Sequence, residues 1–150
     1  MNTKAEMARQ YFKDGYNCCQ AVVLAFSDDL GIDKDTLLAI ASSFGGGIGR
    51  LREVCGAVSG ACIVAGIKFG YIDPGATSEK ANHYALIQKI AKEFEAINGS
   101  IICRVLTGLE KGTHVPDDRT KEYYKKRPCD SLVYDAAEIL DRIINEKTVS

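Results

Sequence analysis

The 150-residue sequence contains no tryptophan, only three prolines and only two histidines, and it carries no surplus of either charge. Nineteen basic against twenty acidic side chains leave a net charge of -1, so there is no whole-chain field to hold nucleic acid or an anionic membrane surface. No apolar run approaches the ~20 residues of a membrane-spanning helix. The first residues, Met1-Asn2-Thr3-Lys4-Ala5-Glu6, are polar and mixed in charge, without a signal-peptide core, which predicts a cytoplasmic chain. His83 and His114 belong to no Glu-x-x-His pattern, and neither a Ser-His-Asp set nor a working carboxylate pair can be read from the order of residues. Both histidines are therefore expected at the surface.

With 46% hydrophobic and 26% charged residues, the composition fits one ordinary globular domain spanning 1–150 that buries a core without staples. Alternation with period two is nowhere sustained. Leu37, Ile40, Ala41 and Phe44, and again Ile87, Ile90, Ala91, Phe94 and Ile97, keep the three-and-four rhythm of one helical face. Punctuation by Asn17, Asp33, Gly70, Gly99 and Pro128 divides the chain into helices over about 18–28, 33–44, 52–69 and 77–99. A short helix follows, capped by Ser100 and carrying Cys103, and a last one starts after Pro128. Leu132, Ala136, Leu140 and Ile143 form the buried stripe of that last helix, and Thr148-Val149-Ser150 should fray. The stretch from Thr107 to Arg127 reads as a surface loop with a turn or two of helix around Thr120–Lys125. Its Arg119, Lys121, Lys125, Lys126 and Arg127, interleaved with Tyr123 and Tyr124, are diluted by Asp117, Asp118 and Glu122, so they read as a solvated face rather than a nucleic-acid patch. The expected fold is an all-α bundle of about six helices.

Six cysteines are too few for a secreted disulfide scaffold, which runs at roughly 8–10%, yet many for a reducing compartment. Metal ligation, redox cycling and inert burial are the three readings to separate. Cys18, Cys55, Cys103 and Cys129 each fall in or just before the first turns of an expected helix, where unpaired N–H groups and the helix dipole favour a thiolate. Arg52, Arg104 and Arg127 lie within three residues of one of them. Cys62 is two helical turns beyond Cys55, about 10.5 Å along the axis, too far for a direct disulfide. Cys19 diverges from its neighbour Cys18 by ~100° around the helix, so Cys19 and Cys62 read as small core residues. No Cys-x-x-Cys pair occurs, which removes the zinc ribbon and the thioredoxin motif, while four thiols from four helices can still converge in a bundle.

Gly45-Gly46-Gly47-Ile48-Gly49-Arg50 follows a helix rather than a strand and lacks the Gly-Lys-Ser/Thr of a phosphate loop. A tight turn with positive φ that packs close to the cysteines is its expected role, with an anion cradle as the alternative. Gly56 and Gly60, four apart within a helix, each cost up to ~1 kcal/mol relative to alanine, so something must press against that face.

Together, Tyr16-Asn17-Cys18-Cys19-Gln20-Ala21-Val22, Phe44 to Arg50, Cys55-Gly56-Ala57-Val58-Ser59-Gly60, Gly99-Ser100-Ile101-Ile102-Cys103-Arg104 and Cys129 resemble the C_GCAxxG_C_C family of redox-active proteins over about residues 5–145. The resemblance implies that Cys18, Cys55, Cys103 and Cys129 are the active set, as redox thiols or as metal ligands, with Cys19 and Cys62 outside it. A similar part of split-Soret cytochrome c implies an iron–sulfur cluster, but no Cys-x-x-Cys-His haem attachment motif is present. The leading expectation is a small redox protein whose four cysteines exchange thiols and disulfides, or bind a cluster, with Gly45, Gly46, Gly47, Gly56 and Gly60 as the close-approach positions for a cofactor and an unspecified redox partner. A zinc-holding structural domain and a helical interaction protein with inert thiols are the alternatives. If the chain assembles, a homodimer is the commonest form.

Overall fold

The computed structural model describes residues 3–149, so Met1 and Asn2 of the N-terminal segment and Ser150 of the expected fraying end lie outside the described residues. Eight α-helices occur among the described residues: α1 (Lys4–Lys13), α2 (Cys18–Ala25), α3 (Lys34–Ala41), α4 (Gly56–Phe69), α5 (Thr77–Asn98), α6 (Cys103–Thr107), α7 (Lys121–Lys126) and α8 (Cys129–Val149). The all-α expectation holds, and the count of about six is corrected to eight. The unexpected one is α1, while α7 is the turn or two of helix expected around Thr120–Lys125.

A capping box opens α1: Thr3 Oγ1 accepts from Glu6 N, and the Glu6 carboxylate accepts from Thr3 N. That Thr-x-x-Glu signal is visible in the sequence, and Ala5, Ala8 and Phe12 at helical spacing form the buried face behind it. A second capping box, Asn17 with Gln20, starts α2, and Asp33 accepts from Thr36 N to start α3. Expected boundaries shift where tertiary contacts intervene. The helix expected from near Arg52 begins at Gly56, because residues 52–55 lie extended beside 101–104 and exchange hydrogen bonds with them, including Cys55 N to Ile101 O at 2.8 Å and Cys103 N to Glu53 O at 2.6 Å. Ser100 does not cap α6. Its Oγ accepts from Ile102 N in a tight local turn, and Ile102 is the residue that precedes the helix.

The core sits around α2, whose Val22 and Val23 are fully buried and which touches α1, α3, α4 and α8. Phe12, Phe26, Phe94, Leu37, Ile90 and the full α8 stripe of Leu132, Ala136, Leu140 and Ile143 complete it. Two apolar positions of the expected stripes turn outward: Ile40 is 45% and Ile97 60% exposed.

Gly60 allows α4 to approach α2 closely. A Cβ there would sit 2.9 Å from the Cys19 carbonyl oxygen and 3.0 Å from Val22 Cβ. Gly66, one and a half turns further along α4, has open space at the same point. Gly60→Ala is therefore expected to lower the denaturation midpoint, by about 1–3 kcal/mol of overpacking. Gly66→Ala should leave the midpoint unchanged or raise it by up to ~1 kcal/mol. Chemical denaturation of the two variants beside the parent chain tests the contrast.

Candidate functional site

Four helix starts meet at one end of the bundle. Cys18 is the first residue of α2, Cys55 the residue preceding α4, Cys103 the first of α6 and Cys129 the first of α8. All four line a cavity of about 270 Å³, with Cys55, Cys103 and Cys129 buried and Cys18 half-buried. The antiparallel pairing of Val54 with Ile102 sets Cys55 opposite Ile101 and Cys103 opposite Glu53. Cys18 and Cys129 line the same cavity and are near enough to perturb each other's acidity, brought there by the packing of α8 on α1 and α2.

Glycines keep the floor of this cavity thin. Cβ atoms added at Gly45, Gly47 and Gly56 would lie 2.8 Å from Asn17 Cβ, 2.8 Å from Cys103 Cβ and 3.2 Å from Cys18 Cβ respectively. From Gly46 to Arg50 the backbone is left-handed at five consecutive residues, two of them the non-glycine Ile48 (φ 65°) and Arg50 (φ 70°), and Arg52 adds a third at φ 61°. A left-handed non-glycine residue costs roughly 1–2 kcal/mol. The N–H groups of residues 48–53 all reach carbonyls of this same stretch, for example Arg52 N to Gly46 O at 3.1 Å and Glu53 N to Gly47 O at 3.0 Å. Those donors are consumed in holding the turn, which favours the tight-turn role over the anion cradle. Gly46 lines the cavity with Gly45, Gly47 and Gly56, whereas Gly60 faces α2 and does not. The expected cofactor-facing place of Gly60 is therefore corrected to a helix-packing one.

Residues 107–127 close the cavity. Thr107, His114, Pro116, Asp117, Arg119, Tyr123 and Arg127 all line it. Arg119 turns inward: Nη1 donates to Phe12 O and Nη2 to Tyr16 O, both at 3.0 Å, and its guanidinium lies over the Phe12 and Tyr123 rings at 4.6 and 5.0 Å. Arg127 stacks on Tyr123 at 4.3 Å and pairs with Asp117, which Arg50 also reaches at 3.2 Å. The solvated-face reading of this basic stretch is thus corrected for Arg119 and Arg127. Arg119 could not have been placed from local pattern, since its carbonyl partners belong to Phe12 and Tyr16, whereas the partners of Arg127, Tyr123 and Asp117, lie within ten residues of it. Of the arginines close to cysteines in sequence, Arg52 and Arg127 line the cavity, while Arg104 lies at the surface paired with Glu53 at 3.2 Å.

A helix start does not by itself make these thiols acidic. Burial pushes Cys55 up to about 12, outweighing the hydrogen bonds from Ala57 and Val58 N–H that favour its thiolate. Cys18 is raised well above its ordinary value, first because its thiol donates to Cys129 and then through burial. Cys129 alone is lowered: the Cys18 hydrogen bond is the largest cause, and the charges of Arg127, Arg119 and Arg52 add to it against the opposing effect of burial. The expectation of four thiolate-favouring positions is corrected for Cys18 and Cys55. Away from the cavity, burial raises Cys19 to about 12 and Cys62 to about 11, in keeping with packing roles, although Cys62 is only half-buried.

Two outcomes follow from these directions. Alkylation of the reduced protein by iodoacetamide should proceed fastest at Cys129, with a midpoint below that of an ordinary thiol, and Cys18→Ala should move the midpoint upward; peptide mass mapping across a pH series reads both. Thiols with raised folded-state values ionise first in the unfolded chain, so their contribution to stability is complete below about pH 9 and is lost as pH rises toward 12. The melting temperature should fall over that range, and Cys19→Ala should flatten the fall.

Comparison with curated proteins and with solved structures returns no match. A family model does match, over residues 16–143, and its description is "Putative redox-active protein (C_GCAxxG_C_C)". The matched span runs from the residue before the Asn17 cap to Ile143 of α8 and includes all four cavity-lining cysteines. On that match, the chain belongs to the C_GCAxxG_C_C family.

Proposed function

We propose that the chain acts as one domain and is a dithiol–disulfide redox protein in which Cys129 is the attacking thiol and Cys18 its resolving partner. The observation that carries this reading is the meeting of the α2 and α8 starts, which brings Cys18 and Cys129 to one cavity beside Arg52, Arg119 and Arg127, and the opposite directions of the two thiols' acidity agree with it. With a disulfide as co-substrate, Cys129 Sγ attacks one of its sulfurs, forming a mixed disulfide and releasing a thiolate. Cys18 gives its proton to that thiolate, and its own Sγ then attacks Cys129 Sγ. The Cys18–Cys129 disulfide forms, the second substrate thiolate leaves, and two electrons have passed from the protein to the co-substrate. Cys55, held protonated by burial, takes no part in the first step.

A second reading is favoured by one observation: all four cysteines line the same cavity, and arginines share its wall. In kind, that donor set fits an iron–sulfur cluster, which would supply one-electron transfer with Cys18, Cys55, Cys103 and Cys129 as the ligands and the arginines offsetting thiolate charge. Among the described residues no group of three His, Cys, Asp or Glu is gathered to hold a metal ion, which weighs against the cluster and against zinc alike and leaves the dithiol reading first.

The deciding experiment is anaerobic purification, assay of iron and sulfide, and then oxidation of metal-free protein with disulfide mapping. The expected result is a Cys18–Cys129 bond, lost in Cys129→Ser and retained in Cys62→Ser. Stoichiometric iron and sulfide would replace the dithiol reading with the cluster reading. Thiols that stay reduced in a metal-free protein would remove both.

A further inference from the structure

The charge around the cavity goes beyond what a pair of thiols needs. Four arginines line it, Arg50, Arg52, Arg119 and Arg127, against one carboxylate, Asp117. Arg50 and Arg127 share that carboxylate. Arg119 is held by two backbone carbonyls and aromatic faces, with no acidic partner among the described residues. Arg52 is the sharper case. It is 3% exposed, its Nε donates to the Glu110 carbonyl at 3.3 Å, and no carboxylate among the described residues pairs with it. A buried guanidinium that no carboxylate pairs with is costly to hold charged, and the Cys129 thiolate offers one negative charge to Arg52, Arg119 and Arg127 together. The left-handed backbone at Arg52 adds to that cost.

The N–H groups of residues 48–53 are taken by carbonyls of the glycine turn itself, which leaves the guanidinium groups as the charged donors at the cavity. Guanidinium groups that face a cavity without carboxylate partners are suited to carboxylate or phosphate groups, which they can hold with paired hydrogen bonds. At about 270 Å³ the cavity suits a small molecule. We propose that the co-substrate of the Cys129 and Cys18 thiols is a small disulfide bearing negatively charged groups, seated with its charge on Arg52 and Arg119. This rests on the dithiol reading above and names the substrate class for it.

The test is stopped-flow oxidation of the reduced protein by three small disulfides: the dianion 5,5'-dithiobis(2-nitrobenzoate), neutral 2-hydroxyethyl disulfide and the dication cystamine. Each rate is divided by that of free cysteine with the same reagent, which removes the reagents' intrinsic reactivity. The normalised anionic-to-neutral ratio should exceed one by roughly tenfold or more at low salt and fall as salt shortens the screening length below about 10 Å. The cationic-to-neutral ratio should lie below one. Arg52→Gln and, as a variant at a less buried position, Arg119→Gln should each bring the anionic ratio toward one. Because each is a ratio on one protein, a change in thiol acidity caused by the substitution cancels. Normalised ratios near one for the parent chain, insensitive to salt, overturn the substrate assignment while the dithiol reading stands. Failure of all three reagents to generate the Cys18–Cys129 disulfide overturns the dithiol reading and the assignment with it.

Discussion

The close approach of α4 to α2 is the constraint on which the rest of the arrangement depends. Gly56 and Gly60 sit on the α4 face toward α2, where side chains would meet the Cys18 Cβ, the Cys19 backbone and Val22 within about the distance of a clash. Helices that meet through side chains stand 8–10 Å apart. Removing the Cβ atoms lets the start of α4 lie against the start of α2, so that Cys55 and Cys18 reach a common cavity. The helical glycines give up helix propensity to gain that proximity. The same economy appears at Gly47, whose missing Cβ admits Cys103, and at Gly45, which admits the Asn17 cap.

Once the cysteines are close, burial and partnership, rather than the helix dipole, set their chemistry. A dipole at an exposed helix end is worth typically about 0.3–1 kcal/mol, whereas burial pushes the Cys55 thiol up to about 12 against the two N–H groups that favour its thiolate. Desolvation wins, and Cys55 stays protonated although two backbone N–H groups point at it. Cys129 escapes the same outcome because it accepts a hydrogen bond from Cys18 and stands in the field of Arg52, Arg119 and Arg127. Two thiols of equal intrinsic acidity are thereby driven in opposite directions, which is the asymmetry that separates an attacking sulfur from a resolving one.

Much of this was legible in the order of residues, and for definite reasons. The positions of Cys18 and Cys129 at helix starts follow from Asn17 and Pro128, which act locally, whereas the starts at Cys55 and Cys103 are fixed by the pairing of residues 53–55 with 101–103. The packing roles of Cys19 and Cys62 follow from helical geometry alone. The α1 helix carried its signal in Thr3 and Glu6, and only its omission made the helix count low. By contrast, the inward turn of Arg119 depends on Phe12 and Tyr16, about a hundred residues away in the chain, so no local pattern could distinguish it from the exposed Lys121 and Lys125 beside it.

The sequence by itself determined that this protein is helical, where most helices begin, which family it belongs to and that Cys18 and Cys129 stand at helix starts, because caps, periodicity and motif spacing are properties of neighbouring residues. Only the tertiary structure decided that Gly60 serves packing while Gly45, Gly46, Gly47 and Gly56 line the cavity, that Cys18, Cys55, Cys103 and Cys129 share that cavity, and that the segment between Thr107 and Arg127 folds inward as an arginine-bearing wall. Those outcomes depend on distances between segments remote in sequence and on the loss of water around them, and neither quantity exists until the chain has folded.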